Sequence, residues 1–388
     1  MRTLRLEDAL EELIDHRGKT PRKLGSEFID EGVPVASAIL VRDGRLVLDE
    51  ARYVSEDVFE RWMSVPLRSG DVILTSEAPL GRVARVVTDA PLVLGQRLFG
   101  LRGRKDVLDS GYLYYALQTH RVQADLIGRA TGTTVVGIRQ SALRQLEVPA
   151  PAYPQQVAIA EVLGALDDKI EANRKLAATA DELSRWRFKA MQANSSSTAL
   201  PLSETARFVN GRAFTKGASG TGRVVVRIAE FNSGLSGSTV RNDIEVADEH
   251  VARPGDLLFA WSGSLTLARW FRDEAIVNQH IFKVIPNEGY PLWLVNHLIR
   301  DKLTEYRAIA ADKATTMGHI QRRHLDEPVL VPPVSAIRAE DQTLDGLWRR
   351  ALLAEIESES LAHLRDTLLP RLMSGELRVE AAREMASA

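Results

Sequence analysis

The chain has 388 residues and not one is cysteine. That absence removes disulfides, iron–sulfur clusters, thiolate zinc sites and cysteine nucleophiles, and it suits a reducing cytoplasm. No apolar run approaches the roughly 18 residues that cross a bilayer. Residues 1–15 alternate charge with leucine and have no apolar centre of the kind a signal peptide needs. A cytoplasmic chain with no membrane partner is the expectation. Excess charge of one sign is missing too: 50 basic residues face 52 acidic ones, a formal −2, so nothing global argues for a polyanionic partner. What is present, 45% hydrophobic and 26% charged residues, is the balance of a folded protein long enough for two domains.

Local charge says more. Between 207 and 241, six basic residues (207, 212, 216, 223, 227 and 241) face only Glu230, net +5. Between 78 and 104, five (82, 85, 97, 102 and 104) face Asp89, net +4, whereas residues 334–388 set seven basic against ten acidic, net −3. Positive charge gathered in two segments fits a surface that meets phosphates in part. A solvated basic face fits the same counts.

Catalytic motifs are lacking as well. The segment 217–224 has the glycine spacing of a phosphate loop but no Lys-Ser/Thr, and reads as a surface loop. Asp167-Asp168-Lys169 resembles a nuclease fragment, yet it lies on an expected helix with no strand-borne acid beside it. None of the eight histidines forms H-E-x-x-H. His319 and His324 sit in a basic stretch where either could meet a phosphate, though an ordinary surface role is the plainer reading. No G-x-S-x-G elbow occurs, nor the Asn/Asp-Pro-Pro-aromatic motif that grips a flipped adenine. No catalytic residue and no metal site are assigned.

The chain repeats itself once, at about 183 residues. Gly70-Asp71-Val72-Ile73-Leu74 and Gly255-Asp256-Leu257-Leu258-Phe259 each read as a turn feeding a buried strand. Leu94-Gly95-Gln96-Arg97-Leu98-Phe99 matches Val277-Asn278-Gln279-His280-Ile281-Phe282, and Leu146-Glu147-Val148-Pro149 matches Val329-Leu330-Val331-Pro332. Strands are expected at 33–39, 71–75 and 83–87, with counterparts at 224–228, 256–260 and 280–285; helices are expected at 112–127 and 292–309.

A proline-rich break precedes a long helical pattern in each half. One seam runs through Ile159, Leu163, Leu166, Ile170, Ala177 and Leu183; the other runs through Leu344, Leu347, Ala351, Ala354, Leu361 and Leu368, with Pro370 and Ser374-Gly375 as its stop. Each helix is expected to be about 30–35 residues, roughly 45–50 Å. A stripe of that length buries itself against a partner, and the economical partner is the other helix lying antiparallel; packing of each helix on its own domain is the alternative.

Taken in order, several segments resemble the specificity subunits of type I restriction–modification enzymes. They are Gly70-Asp71-Val72, Ser76-Glu77-Ala78-Pro79-Leu80-Gly81, Thr133-Thr134, Leu146-Glu147-Val148-Pro149, Gln155-Gln156, Ile159, Leu166-Asp167-Asp168-Lys169-Ile170, Asn173 and 368–377. The resemblance implies an α+β chain: two similar mixed α/β target-recognition domains joined by two long antiparallel helices, a coiled coil in a pseudo-twofold dumbbell. The expected divisions are 1–151 and 195–333 for those domains, 152–194 for the central helix and 334–388 for the second helix and tail. It further implies a non-catalytic subunit that binds no cofactor itself. Its partners are double-stranded DNA with an asymmetric two-part site, two adenine-N6 methyltransferase subunits using S-adenosylmethionine, and motor–nuclease subunits. The expected helix length matches roughly 13–15 base pairs.

Because the two repeats diverge between their shared segments, base contacts are assigned from chemistry. Arginine and lysine meet guanine edges or phosphates, asparagine and glutamine meet adenine edges, and threonine serves either role. The candidates are Arg17, Lys19, Lys23, Arg82, Arg97, Thr133 and Arg139 in the first half, and Asn210, Arg212, Lys216, Arg227, Lys313, Thr315, Gln321, Arg322 and Arg323 in the second. Gln96 and Gln279, at matching places, are read as a shared structural hydrogen bond. Two rival readings stay open here: a divergent DNA-modifying enzyme, and a coiled-coil scaffold that binds protein only.

Overall fold

In the computed structural model, which describes residues 2–312 and 318–387, the Gly-Asp turn of each repeat is closed by the same bonds. Asp71 takes its own turn's Arg68 amide on Oδ2 at 2.8 Å, and Asp256 takes that of Arg253 at 2.7 Å. Gly70 and Gly255 stand at φ 91° and 98°, a region that side chains with a Cβ enter at a cost. Their amides donate to Val86 and Trp270, whose own amides return to Asp71 and Asp256. Each turn then releases a fully buried strand, Val72–Thr75 or Leu257–Ala260.

Those strands are interior members of matching sheets. The chain divides into two units, Met1–Asp168 with Ala362–Ala388, and Lys169–Leu361. In the first, an antiparallel four-stranded sheet runs Leu10–Ile14, Leu98–Gly103, Val72–Thr75, Val83–Arg85. In the second, the order is Ala206–Asn210, Ile281–Pro286, Leu257–Ala260, Leu267–Arg269. The topology is the same. A second sheet accompanies each: Val33–Ala36 pairs antiparallel with Arg52–Val54 and parallel with Val93–Leu94, and Arg223–Val226 pairs antiparallel with Arg241–Asn242 and parallel with Ala275–Val277, which adds Val251–Ala252 as a fourth strand. Buried aliphatic residues of these strands, with Trp62 in the first unit and Phe259, Phe282 and Trp293 in the second, make the cores.

The long helices are Tyr153–Ala193 and Val334–Ser374, 41 residues each, about 60 Å at 1.5 Å per residue. They exceed the expected length because Pro154 falls in the first turn, where its missing N–H costs nothing, and because Pro370 does not stop the second helix. The break comes at Gly375, φ 79°. Within the second unit the two helices are antiparallel: Asn173 donates to Glu357 at 2.7 Å, Ala177 and Ala180 pack with Ala351 and Ala354, and Arg187 pairs with Glu340 at 2.8 Å. Within the first, Arg365 reaches Asp167 at 2.7 Å. Ile159, Leu163, Leu166, Ile170, Leu344 and Leu368 are buried, while Leu347 and Leu361 are half-buried.

Leu183 is a correction: it is 43% exposed. The buried face advances from Ala180 to Ser184, Phe188 and Met191, and Leu183 lies one residue, about 100°, off that stripe. Ser184 takes the position by bonding His297 at 2.8 Å. The helix expected at 112–127 is another: it is two, Ser110–Ala116 and His120–Gly128. At the break Thr119 Oγ1 donates to Ala116, and the Gln123 amide donates to Leu117. In the second unit Leu292–Asp312 is one uninterrupted helix. The tail folds too, as Val379–Ser387, with Arg383 paired to Glu161 at 3.0 Å.

Candidate nucleic-acid interface

Each four-stranded sheet delivers its candidate side chains to one end, because three of its strands end or begin there. In the first unit Leu10–Ile14 runs into Asp15-His16-Arg17, Val72–Thr75 runs into Ser76-Glu77-Ala78, and Gln96-Arg97 enters Leu98–Gly103. The Ser76 amide donates to Arg97 at 2.8 Å, and Ile138, closing the loop bridged between Thr131 and Gly137, donates to Ser76 at 2.9 Å. Arg17 lies over the Phe99 ring at 4.3 Å, pairs with Asp15 at 2.7 Å and donates to Ile138. Arg97 pairs with Glu77 at 3.0 Å. Lys19 reaches the Trp62 carbonyl at 2.6 Å and Lys23 that of Gly18 at 2.7 Å. Arg82, whose amide bonds the last strand residue Thr75, donates to Val41. Thr133 and Arg139 are exposed on the loop and just beyond it.

Thus this end gathers all seven candidates of the first half, but five of them are held by protein acceptors. Arg139 is the exposed arginine among them with no such bond in the described structure. Burial first, then Lys19, pushes the pKa of His16 down.

The second unit repeats the frame with other side chains. Ala206–Asn210 ends at Asn210, Leu257–Ala260 runs into Trp261, and Gln279-His280 enters Ile281–Pro286. The Trp261 amide donates to His280 at 3.1 Å and Ile320 donates to Trp261 at 3.1 Å, the counterparts of the Ser76 and Ile138 bonds. Trp261 Nε1 donates to Asn210 Oδ1 at 2.8 Å, and its ring packs on His280 at 5.0 Å and edge-on to His319. Arg212, Lys216 and Arg323 are exposed with no side-chain bond among the described residues, whereas Arg322 donates to Phe208.

Arg227 is committed to the fold. Its guanidinium and amide both bond Glu230, which is 1% exposed, and it also reaches Ser238. Burial alone would raise the Glu230 carboxyl, but Arg227 and the backbone amides outweigh it and hold its pKa below the usual range. Gln321 is exposed and its amide is capped by the buried His324 ring at 3.0 Å, so His324 is a structural histidine. Lys313 and Thr315 lie outside the described residues.

Gln96 and Gln279 are corrected. Both are exposed; among the described residues Gln96 makes one 3.3 Å bond, to the Lys19 carbonyl, and the Gln279 side chain makes none. Among the described residues no structural bond is shared. Sequence reasoning also missed Trp261 and the acids Asp15 and Glu77, for which position in the repeat was the available signal. Among the described residues no group of three or more His, Asp or Glu side chains could hold a metal, and no helix is long and apolar enough to cross a membrane. Asp167 is bonded by Tyr115 and Arg365, and Asp168 by Arg85.

Residues 3–180 match the family described as type I restriction modification DNA specificity domain. Two similar proteins come from Methanocaldococcus jannaschii. The type I restriction enzyme MjaVIII specificity subunit is 28% identical over 155 residues, 39% of this chain and 36% of that one. The MjaIX specificity subunit is 25% identical over 347 residues, 80% of this chain and 78% of that one. The match thus spans about a third of the first relative and about four fifths of the second. A crystal structure of a type I restriction-modification system S subunit from M. genitalium shares the fold, with a TM-score of 0.58 at 18% identity over 96% of this chain and 95% of the other.

Proposed function

This chain belongs to the specificity subunits of type I restriction–modification enzymes, non-catalytic components of those complexes, and from that premise we propose that it reads an asymmetric two-part target in double-stranded DNA, one part with each unit. Adenine-N6 methyltransferase subunits dock on it, two to a chain, and bring S-adenosylmethionine. Motor–nuclease subunits join that assembly, in the cytoplasm.

The observation that carries this reading is one sheet end built twice with unlike side chains. Identical topology places Asp15 and Arg17 in one unit, and Asn210 and Arg212 in the other, at the end of the same strand, and equivalent backbone bonds fix Arg97 and His280. A common frame with different donors and acceptors suits two different half-sites, since sequence is read by hydrogen-bonding groups at base edges. Identical enzymes, in turn, need similar docking surfaces, which an internal duplication supplies.

Single-molecule methylome sequencing of cells expressing this chain with its methyltransferase tests the proposal. The expected result is adenine methylation in one bipartite motif with a fixed gap. Methylation with no such motif, or methyl transfer by this chain alone, refutes it.

A further inference from the structure

Two units that read different bases have little reason to keep the same exposed side chain at the same place, yet Gln96 and Gln279 are such a pair. The backbone on either side of them is pinned alike, while the main-chain N–H of Gln279 also donates to Arg212 at 2.9 Å. Gly95 donates to Ala36 and Asn278 to Val226, each acceptor the last residue of its strand. The next residue turns left-handed in both, Arg97 at φ 65° and His280 at φ 75°, and its carbonyl accepts from Ser76 or Trp261. Neither residue is a glycine, so each unit bears the cost of that conformation. The turn presents an exposed side-chain amide that, among the described residues, makes one 3.3 Å bond for Gln96 and none for Gln279.

Resting on the reading above, we propose that Gln96 and Gln279 contact the one base pair that both half-sites hold in common, the A·T pair whose adenine receives the methyl group, while Arg97 and His280 beside them serve the unlike bases. A shared residue fits a shared feature. Identical methyltransferases impose the same acceptor base on two otherwise different half-sites. A primary amide sets an N–H donor beside a carbonyl acceptor, matching N7 and N6–H of adenine in the duplex, or O4 and N3–H of the thymine left behind when adenine leaves the stack.

The test uses the complex of this chain with its methyltransferase and oligonucleotides carrying the motif found by methylome sequencing. Gln96→Ala and Gln96→Glu should each weaken binding about ten- to a hundred-fold, the range for one bidentate base contact. Glutamate keeps the size but loses the donor. The loss should vanish when the methylated pair of one half-site is replaced by G·C, and persist when the other is replaced. Gln279→Ala and Gln279→Glu should show the mirror pattern. Melting temperatures should stay at the wild-type value, since neither amide supports the fold. Wild-type binding by all four variants, or losses that ignore which pair was replaced, overturns the inference while leaving the two-part reading intact. Absence of any bipartite motif with the unaltered chain overturns both, and is seen before a variant is made.

Discussion

Replacing Arg102 by methionine should destabilise the first unit more than removing the cation that pairs with Asp256 destabilises the second. Arg102 grips Asp71 with Nε and a terminal nitrogen at 2.8 and 2.7 Å, and donates to the Pro66 carbonyl as well. The pair is sealed: Asp71 is 2% exposed and Arg102 8%. Methionine fills the volume but leaves the carboxylate with only the Arg68 amide. An uncompensated buried charge of this kind costs about 3–5 kcal/mol, which in a unit of this size lowers the melting point by roughly 6–20 °C. Asp256 is paired instead by Lys283, which aligns with Gly100 rather than Arg102, at 2.9 Å, and its carboxylate is 28% exposed and can turn to water. Lys283→Met loses that pair and the 2.7 Å bond to the Val251 carbonyl but leaves no sealed charge, and should cost about 1.5–3 kcal/mol. Pairing Asp71→Asn with Arg102→Met should recover much of the loss, because the unpaired charge goes with its partner. Urea denaturation followed by tryptophan fluorescence measures all four proteins. A cost below about 1 kcal/mol for Arg102→Met, or a larger one for Lys283→Met, would show that burial does not set these energies.

Acid should weaken the second unit through His297, whose pKa is pushed down to about 3, by burial first and then by Arg300, Lys189 and Arg185. The unfolded chain takes that proton near 6.5, so stability is intact above 6.5 and falls towards pH 3, at up to about 1.4 kcal/mol per unit. Urea midpoints at pH 7 and 5 should differ less in His297→Gln than in the wild type, and an unchanged difference would exclude His297 as the source. Asn173, 3% exposed in an otherwise small and apolar helix face and bonded to Glu357, should trade stability for register. Asn173→Leu should raise the melting temperature yet allow alternative helix pairings, which disulfide trapping of cysteine pairs placed along the two helices would detect. Arg212→Ala and Arg323→Ala should each lower the slope of log K against log salt by about 0.9 if each arginine meets one phosphate. Arg227→Ala should instead destabilise the fold by stranding Glu230, so a change in salt slope with unchanged melting would contradict its assignment to the fold.

The duplication was legible because its signals are local. A Gly-Asp turn followed by four apolar residues has few other meanings. The helix seam was legible while large apolar residues marked every step. It failed at Leu183, where apolarity and periodicity disagreed and Ser184 kept the period through a bond to His297, 113 residues away in the chain. The break near Thr119 was hidden for a related reason: Thr119 and Gln123 close it with side-chain bonds that leave the apolar pattern untouched. At the sheet end, counting cations found the right neighbourhood but not which cations are free. Asp15, Glu77 and Glu230 each claim an arginine, and pairings of this kind depend on loop geometry that no spacing rule contains.

That division between the readable and the unreadable follows from where the energy lies. The bonds common to both units belong to backbone amides and to buried aliphatic strands, so altering them costs whole interactions. The side chains that differ, Asp15 against Asn210 and Arg97 against His280, lie at a loop end where most substitutions change stability by less than about 0.5 kcal/mol. A frame closed by main-chain bonds can therefore exchange its edge residues almost without penalty to the fold, while each exchange alters the donors and acceptors presented. Two copies of such a frame in one chain can drift apart in what they read and remain alike in how they fold. Gln96 and Gln279 stand out against that background: they occupy the part of the frame most free to change, and they have not changed.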